Sequence, residues 1–266
     1  MSTQIVWVLA LSFLINLIST LSYSIRIVGI RTRKIAVSFA LFNVLVLISR
    51  TANGFQAPIL ANVVEKTIYY HNPDPISVFY WILWTTSLAT LIGALLIPSF
   101  QRLFSYAVIH FSRHKSIPSL VLAGFSPAGF HLIRTSITTP DLGNISQIKS
   151  KEAIPWKVFA FNVIAVAVLT VGVLASLYAG YLKPELRTTS SNLSSVINGL
   201  ATILMFLFID PYLSILTDEV TEGKYRESSF RRQVVLMVIA RLLGTFLAQI
   251  LFLPAAQLIV MVAETM

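Results

Sequence analysis

Three ionisable side chains lie inside segments that are otherwise apolar. Arg50 follows VLVLIS, Asp210 lies in LMFLFIDPYLS, and Arg241 lies in VLMVIARLLGTFLAQ. A charge at the centre of a membrane-spanning helix costs about 2.5 to 3.5 kcal/mol on insertion scales, so it usually faces a protein interior or a water-filled cavity. A guanidinium can also hold phosphate oxygens through two parallel hydrogen bonds. These residues therefore predict an interior polar site that binds an anion.

The balance of these charges leaves several assignments open. Asp210 is the only acid within the six apolar segments before the terminal Glu264, so no acid in the first three could neutralise Arg50. An unneutralised interior arginine favours an anionic ligand, although Arg50 could also extend its side chain outward to the membrane surface. Asp210 could pair with Arg241 in an ion pair that only stabilises the fold.

Polar side chains recur at helical spacing on four segments, which predicts that four polar faces meet in one region. They are Ser12, Asn16, Ser19, Thr20 and Tyr23; Asn43, Arg50, Asn53 and Gly54; Asp210, Ser214 and Thr217; and Arg241, Thr245 and Ala248. Pro211 should remove one backbone hydrogen bond beside Asp210 and kink its helix. Carbonyl groups freed there could hold a cation or a moving substrate.

The elements that position these residues are expected to be membrane-spanning helices. The 266 residues are 56% hydrophobic and only 12% charged, whereas soluble domains carry about 25% charged residues. A spanning helix needs about 20 mainly apolar residues. The sequence therefore predicts one all-α membrane domain with six spans, at about residues 4–24, 35–61, 77–98, 156–182, 193–216 and 233–262.

The distribution of basic residues predicts the orientation of the spans. Fifteen of the twenty Lys and Arg residues fall in the first, third and fifth connections. Cytoplasmic loops are enriched in Lys and Arg, so both termini are expected outside. The net charge of +9 then marks the cytoplasmic side, and no soluble basic domain exists to bind nucleic acid. The absence of cysteine excludes disulfides and thiolate metal sites.

The third connection, residues 99–155, is the largest. Its first part, FQRLFSYAVIHFSRHK, is amphipathic and predicts a helix in the headgroup layer. Residues 117–135 are apolar but short and interrupted by Gly and Pro, which leaves a re-entrant and an interfacial segment as alternatives.

Catalytic motifs are missing from the sequence. It contains no P-loop, no HExxH and no nucleophile–base–acid pattern. His110 and His114 are spaced as zinc ligands can be, but a solvated pair fits better without a cysteine or a nearby acid. We therefore expect no enzyme, no metal and no cofactor.

Three stretches carry a resemblance to a known family. RIVGIRT at residues 26–32, LISRTAN at 47–53 and FIDPYLSILTDEV at 208–220 resemble the Amj family, bacterial lipid II flippases described as alternates to MurJ. The resemblance implies transport of lipid II, a disaccharide-pentapeptide linked through pyrophosphate to undecaprenol, from the inner to the outer leaflet of the cell membrane. It supplies no map of functional residues.

A transport hypothesis assigns roles to the residues above. Arg26, Arg31 and Arg33 would gather the pyrophosphate at the inner leaflet, and Arg241 and then Arg50 would hold it inside. The substrate-binding set also includes the amides Asn16, Asn43 and Asn53. Asp210, beside Pro211, would release Arg241 when substrate binds or would carry a proton or cation. The alternatives are a transporter of another anionic solute and a non-transporting scaffold for cell-envelope assembly; the oligomeric state stays open.

Overall fold

A computed structural model describes residues 3–138 and 155–266 of the chain. Every regular element in these two ranges is helical. Six helical segments are long and apolar enough to cross a membrane. The predicted all-α architecture with six spans is therefore confirmed.

Ten α-helices make up the described part of the chain. They are α1 (Thr3–Leu21), α2 (Ile25–Thr32), α3 (Ile35–Tyr69), α4 (Ile76–His114), α5 (Ile117–Gly124), α6 (Pro127–Ser136), α7 (Trp156–Leu182), α8 (Arg187–Leu204), α9 (Asp210–Thr221) and α10 (Glu227–Glu264). Short 3₁₀ turns join α1 to α2 and lead into α8, and a π-helical turn joins α8 to α9. The first span is therefore Thr3–Thr32 and the fifth is Pro184–Thr221.

Several helices are longer than the apolar segments that revealed them. The third span does not end near residue 98, because α4 continues through Pro98 to His114. Its extension buries Phe104 and Val108 in a cluster with Ile25 and Val28 of α2. This packing explains why the amphipathic part of the third connection continues α4 instead of forming a separate helix. Its position in the headgroup layer stays a prediction.

The segment 117–135 forms two short helices, α5 and α6. Ser126 separates them and caps α6, since its Oγ accepts a hydrogen bond from the backbone N–H of Gly129 at 3.1 Å. The choice between a re-entrant and an interfacial segment stays open. The remainder of the predicted 99–155 insertion, residues 139–154, lies outside the described residues.

The bundle has two ends, which we name from the predicted orientation. The predicted outer end carries the start of α1, the α3–α4 connection and the end of α10. The predicted inner end carries the α2–α3 connection and the α9–α10 connection. Aromatic side chains pack in the core near the predicted outer end, where Phe79, Tyr178 and Phe252 lie with ring centroids 5.3 to 5.4 Å apart; Phe79 stacks on Phe252 and meets Tyr178 edge-on.

Close approach of α7 and α10 depends on a glycine. A Cβ added to Gly244 would meet the carbonyl oxygen of Val163 at 2.8 Å and the side chain of Val166 at the same distance. Small residues at such positions let helix backbones pack closely where lipid gives no hydrophobic driving force between helices. Apart from its chain neighbours and the backbone of its own helix, no atom of the described residues lies within 4 Å of an ideal Cβ on Gly54 of α3.

These two glycines give a matched test of the packing. Alanine is favoured over glycine in a helix by roughly 0.5 to 1 kcal/mol, so Gly54→Ala should leave the melting temperature unchanged or raise it. Gly244→Ala should lower it, because overpacking of a tight contact costs about 1 to 3 kcal/mol. Thermal unfolding of purified protein in detergent measures both variants. Equal melting temperatures would contradict the close contact between α7 and α10.

Candidate functional site

A cavity of about 420 Å³ lies inside the bundle, and all six spans contribute to its wall. Its polar lining is Ser12, Asn16, Ser19, Ser22, Tyr23, Arg26, Asn53, Gln56, Thr86, Thr170, Asn198, Asp210 and Arg241. The apolar part of the wall comes mainly from α3, α7 and the π-helical turn with α9. The polar faces predicted on four spans therefore meet in part, and two further spans add to them.

Arg241 is the deepest charge in this cavity. The residue is 8% exposed, and α10 places it opposite α1. Its Nε donates to the Thr20 hydroxyl at 3.1 Å, and its Nη2 donates to the amide oxygen of Asn16 at 3.2 Å. The Tyr23 hydroxyl also lies beside the guanidinium.

Neutral oxygens alone surround this guanidinium within the described residues. No ion pair among the described residues includes Arg241, so none of their carboxylates lies within 4.0 Å of its guanidinium. Taking a cation out of water carries a large free-energy penalty unless a counter-charge or hydrogen bonds compensate it. The hydrogen bonds to Thr20 and Asn16 compensate part of that penalty. The residual positive potential makes this part of the cavity attractive to an anion.

A second arginine in the cavity does have a counter-charge. Nη2 of Arg26 lies 3.3 Å from Oδ1 of Asp210, and its Nη1 donates to the Ser214 hydroxyl at 2.9 Å. The Arg26 guanidinium also lies 5.1 Å from the centre of the Phe39 ring, which is a cation–π distance. The side chain of Arg26 is 13% exposed, but that of Asp210 is 44% exposed.

The sequence-based pairing of Asp210 with Arg241 is therefore wrong, since Asp210 pairs with Arg26. Asp210 and Arg241 lie at different depths along the bundle axis. Arg26 follows Thr20 by six residues, which places it about 9 Å closer to the predicted inner end at a rise of 1.5 Å per residue. Asp210 lies at the level of Arg26, whereas Arg241 lies at the level of Thr20 and Asn16.

The backbone before Asp210 departs from an α-helix. Met205–Ile209 form a π-helical turn, and Pro211 follows inside the first turn of α9. Pro211 has no N–H to donate to the preceding turn, and a π-helical turn is one way for a helix to accommodate that loss. Met205, Ile209 and Asp210 all face the cavity. Pro211 itself is exposed and does not line the cavity.

A hydrogen-bonded set of neutral side chains forms the wall toward the predicted outer end. The Gln56 amide donates to the Ser12 hydroxyl at 2.6 Å, and the Asn16 amide donates to Thr86 Oγ1 at 3.3 Å. These bonds join α1 to α3 and to α4. Gln56 and Thr86 were not among the candidate residues; Gln56 lies one turn after Asn53, so the polar face of α3 could have revealed it.

The structure brings together some of the sequence-predicted residues and separates others. Asn16, Asn53, Arg26, Asp210 and Arg241 line the cavity. Outside its wall lie Arg31, which pairs with Glu227 at 2.9 Å, and four exposed residues, Arg33, Asn43, Arg50 and Pro211.

Arg50 is exposed and is not one of the residues that line the cavity. It precedes Ala57, a wall residue, by seven residues, or about two helical turns, so the two side chains project from nearly the same side of α3. Exposed Leu47 and Ile48 precede it on the bundle surface. Arg50 is therefore a surface arginine, which agrees with the outward-extended alternative from the sequence and not with an interior charge.

The cavity reaches the bundle surface between α3 and the fifth span. Asn53 on α3 and Asp210 on α9 both line the cavity, yet both are substantially exposed. Phe206 and Leu207, which follow the wall residue Met205 on the fifth span, are exposed apolar side chains. The opening therefore lies next to a surface suited to lipid.

Comparisons with known proteins identify relatives over nearly the whole chain. Residues 11–263 match the family model for Amj, described as Alternate to MurJ. A curated protein of Bacillus subtilis (strain 168), named Lipid II flippase Amj, is 35% identical over 262 residues, which is 96% of this chain and 95% of that protein. No solved structure matches the chain.

The environment of Arg241 makes a prediction about stability. Replacing Asn16 with Leu would leave a buried guanidinium without one acceptor, which costs about 1 to 3 kcal/mol. The same replacement should cost much less when Arg241 is already Met, because no charge then needs the acceptor. Unfolding of the single and double variants in detergent measures the coupling.

Asn43→Leu is the matched control, since Asn43 is exposed and outside the cavity. Its cost should be the same with Arg241 or Met at position 241. If Asn16→Leu also costs the same in both backgrounds, Asn16 does not stabilise Arg241.

Proposed function

Because the chain belongs to the Amj family, we propose that it is a lipid II flippase. The protein is then a multi-pass protein of the bacterial cell membrane. It moves the pyrophosphate-linked disaccharide-pentapeptide from the inner to the outer leaflet. The lipid crosses without any covalent change, so the protein acts as a transporter and not as an enzyme.

The environment of Arg241 supports this proposal independently of family membership. A guanidinium that is 8% exposed, with no described carboxylate within 4.0 Å, faces a cavity that all six spans build. A pyrophosphate is the part of lipid II with the highest free-energy penalty for leaving water. A preformed positive site in the bundle lowers this free-energy penalty while the pyrophosphate is inside the membrane. The planar guanidinium also fits the geometry of phosphate oxygens.

Arg26 is placed to contact the pyrophosphate before Arg241 does. It lies closer to the predicted inner end than Arg241 and is held by the half-exposed Asp210. An incoming pyrophosphate replaces this carboxylate as the partner of Arg26. The role proposed from sequence for Asp210 thus moves from Arg241 to Arg26. Arg31 and Arg33 lie nearer the inner surface, and Arg31 is already paired with Glu227.

The lipid tail requires an open side of the cavity. The opening between α3 and the fifth span lets the head group enter while the polyprenyl chain stays in the bilayer. Exposed Phe206, next to the wall residue Met205, offers an apolar contact to the chain. Arg50 is exposed on α3 outside the cavity wall, so it would meet only a pyrophosphate that is entering or leaving, and its contribution should be smaller than that of Arg241.

Transport of lipid II in proteoliposomes tests the proposal. Arg241→Gln removes the charge-assisted hydrogen bonds to a phosphate, each of which contributes about 1.5 to 3 kcal/mol. The transport rate at limiting lipid II should therefore fall roughly 10- to 100-fold. Arg102→Gln is the control, because Arg102 is exposed on α4 and outside the cavity wall. It should transport lipid II as the wild type does.

Other outcomes point to the alternatives. If wild type moves no lipid II but moves a soluble anion saturably, the protein transports another solute. If folded wild type moves neither and copurifies with envelope enzymes in stoichiometric amounts, it is a scaffold. If Arg241→Gln moves lipid II at the wild-type rate, Arg241 is a structural residue and not a substrate ligand.

A further inference from the structure

A second, smaller cavity of about 210 Å³ lies between α3, α7 and α8 near the predicted outer end. We call it the outer cavity and the first one the central cavity. Its wall consists of Ala61, Val64, Glu65, Leu177, Arg187, Thr188, Ser191 and Asn192. None of these residues belongs to the site described above.

The two cavities lie end to end in the same cleft. On α3, Leu60 lines the central cavity and Ala61 lines the outer one. On α7, the corresponding residues are Leu174 and Leu177. On α8, Asn198 follows Ser191 by seven residues, or about two turns, so one face of α8 serves both cavities.

Apolar side chains separate the cavities. Leu60 is 1% exposed, Val64 is 2% exposed and Leu174 is 5% exposed. On α8, Ser194 and Ser195 lie in sequence between the outer-cavity residue Ser191 and the central-cavity residue Asn198. Asn198 Oδ1 is buried beside Gly172 and has no hydrogen-bond partner among the described residues. The constriction is therefore apolar on two helices and polar on the third.

The polar groups of the outer cavity suit a neutral ligand. Its two charges pair with each other, since Arg187 Nη1 lies 3.5 Å from Glu65 Oε1. The remaining polar groups are the hydroxyls of Thr188 and Ser191 and the amide of Asn192. Hydroxyl and amide groups both donate and accept hydrogen bonds, as do the hydroxyl and acetamido groups of an N-acetylated sugar. This differs from the central cavity, where Arg241 has no counter-charge.

We propose that the outer cavity is a carbohydrate subsite, which receives the sugars of the transported lipid while the pyrophosphate is held at Arg241. This inference rests on the proposed function. The central cavity, at about 420 Å³, is near the lower end of the roughly 300 to 1,000 Å³ typical of ligand pockets, and lipid II carries two sugars and a pentapeptide. A second compartment in line with the first gives part of this head group a place on the way to the outer leaflet.

Site-directed cysteines can test occupancy of the outer cavity, because the chain contains no cysteine of its own. Ser191→Cys changes one atom and places a thiol in the cavity wall. The probe is a water-soluble maleimide added to proteoliposomes with lipid II, with undecaprenyl pyrophosphate or with neither. Lipid II should slow labelling of Cys at this position at least 5-fold, and undecaprenyl pyrophosphate, which lacks the sugars, should leave the rate unchanged.

Two further variants sharpen the experiment. Glu185→Cys lies in the exposed turn before α8 and outside the cavity, so neither lipid should alter its labelling. Asn192→Cys provides a second position in the wall if Ser191→Cys does not fold. Each cysteine variant must transport lipid II for its labelling to be interpreted.

The outcomes separate this inference from the proposed function. Protection of the wall cysteine by lipid II alone supports the carbohydrate subsite. Equal protection by both lipids, or by neither, overturns it even when the wild type transports lipid II at the expected rate. If the cysteine-free wild type neither binds nor transports lipid II, the proposed function is wrong and the subsite is wrong with it.

Discussion

The packing of the bundle depends on one buried guanidinium, that of Arg241, which has no counter-charge among the described residues. Arg241 depends on neutral oxygens of α1 for compensation, and Asn16 is in turn bonded to Thr86 of α4. Three spans are thereby joined around one charge. Because the interior has a low dielectric constant, each of these hydrogen bonds is stronger than in water, and so is the attraction to an anion. The same interaction thus contributes to both packing and the proposed binding.

Packing around this charge is unequal between the spans. Half of the most apolar part of α10 is buried inside the protein, compared with 17% for α3 and 22% for the fifth span. The close contact at Gly244 holds α10 against α7, so this pair forms a fixed wall behind Arg241. α3 and the fifth span border both cavities and bury less surface. Few described residues of α3 contact the fifth span directly, so these two elements can separate from each other with little loss of packing, which suits a path that must admit a large head group.

The sequence predicted the helices and the polar faces better than it predicted which faces meet. Hydropathy is a property of one segment, so six spans followed directly from composition. The partner of Asp210 depends on how far each residue lies along its helix after folding, and periodicity does not contain that information. The choice between an interior and an outward Arg50 depended on the same information: Arg50 lies on α3 with several wall residues, but it is exposed and outside the cavity wall. Arg26 was assigned to a connection, yet the first span extends to Thr32 and brings it into the cavity.

The two arginines of the central cavity differ in a way that gives the proposed path a direction. At Arg26 an arriving pyrophosphate must displace Asp210, so binding there exchanges one anionic partner for another. At Arg241 no described carboxylate has to leave, and the anion gains an interaction that the empty site lacks. Movement from Arg26 to Arg241 lets Asp210 return to Arg26, which restores that ion pair behind the substrate. Release from Arg241 then needs a compensating interaction further along. Under the proposed carbohydrate subsite, neutral hydrogen bonds to the sugars in the outer cavity would supply one that does not compete for the pyrophosphate.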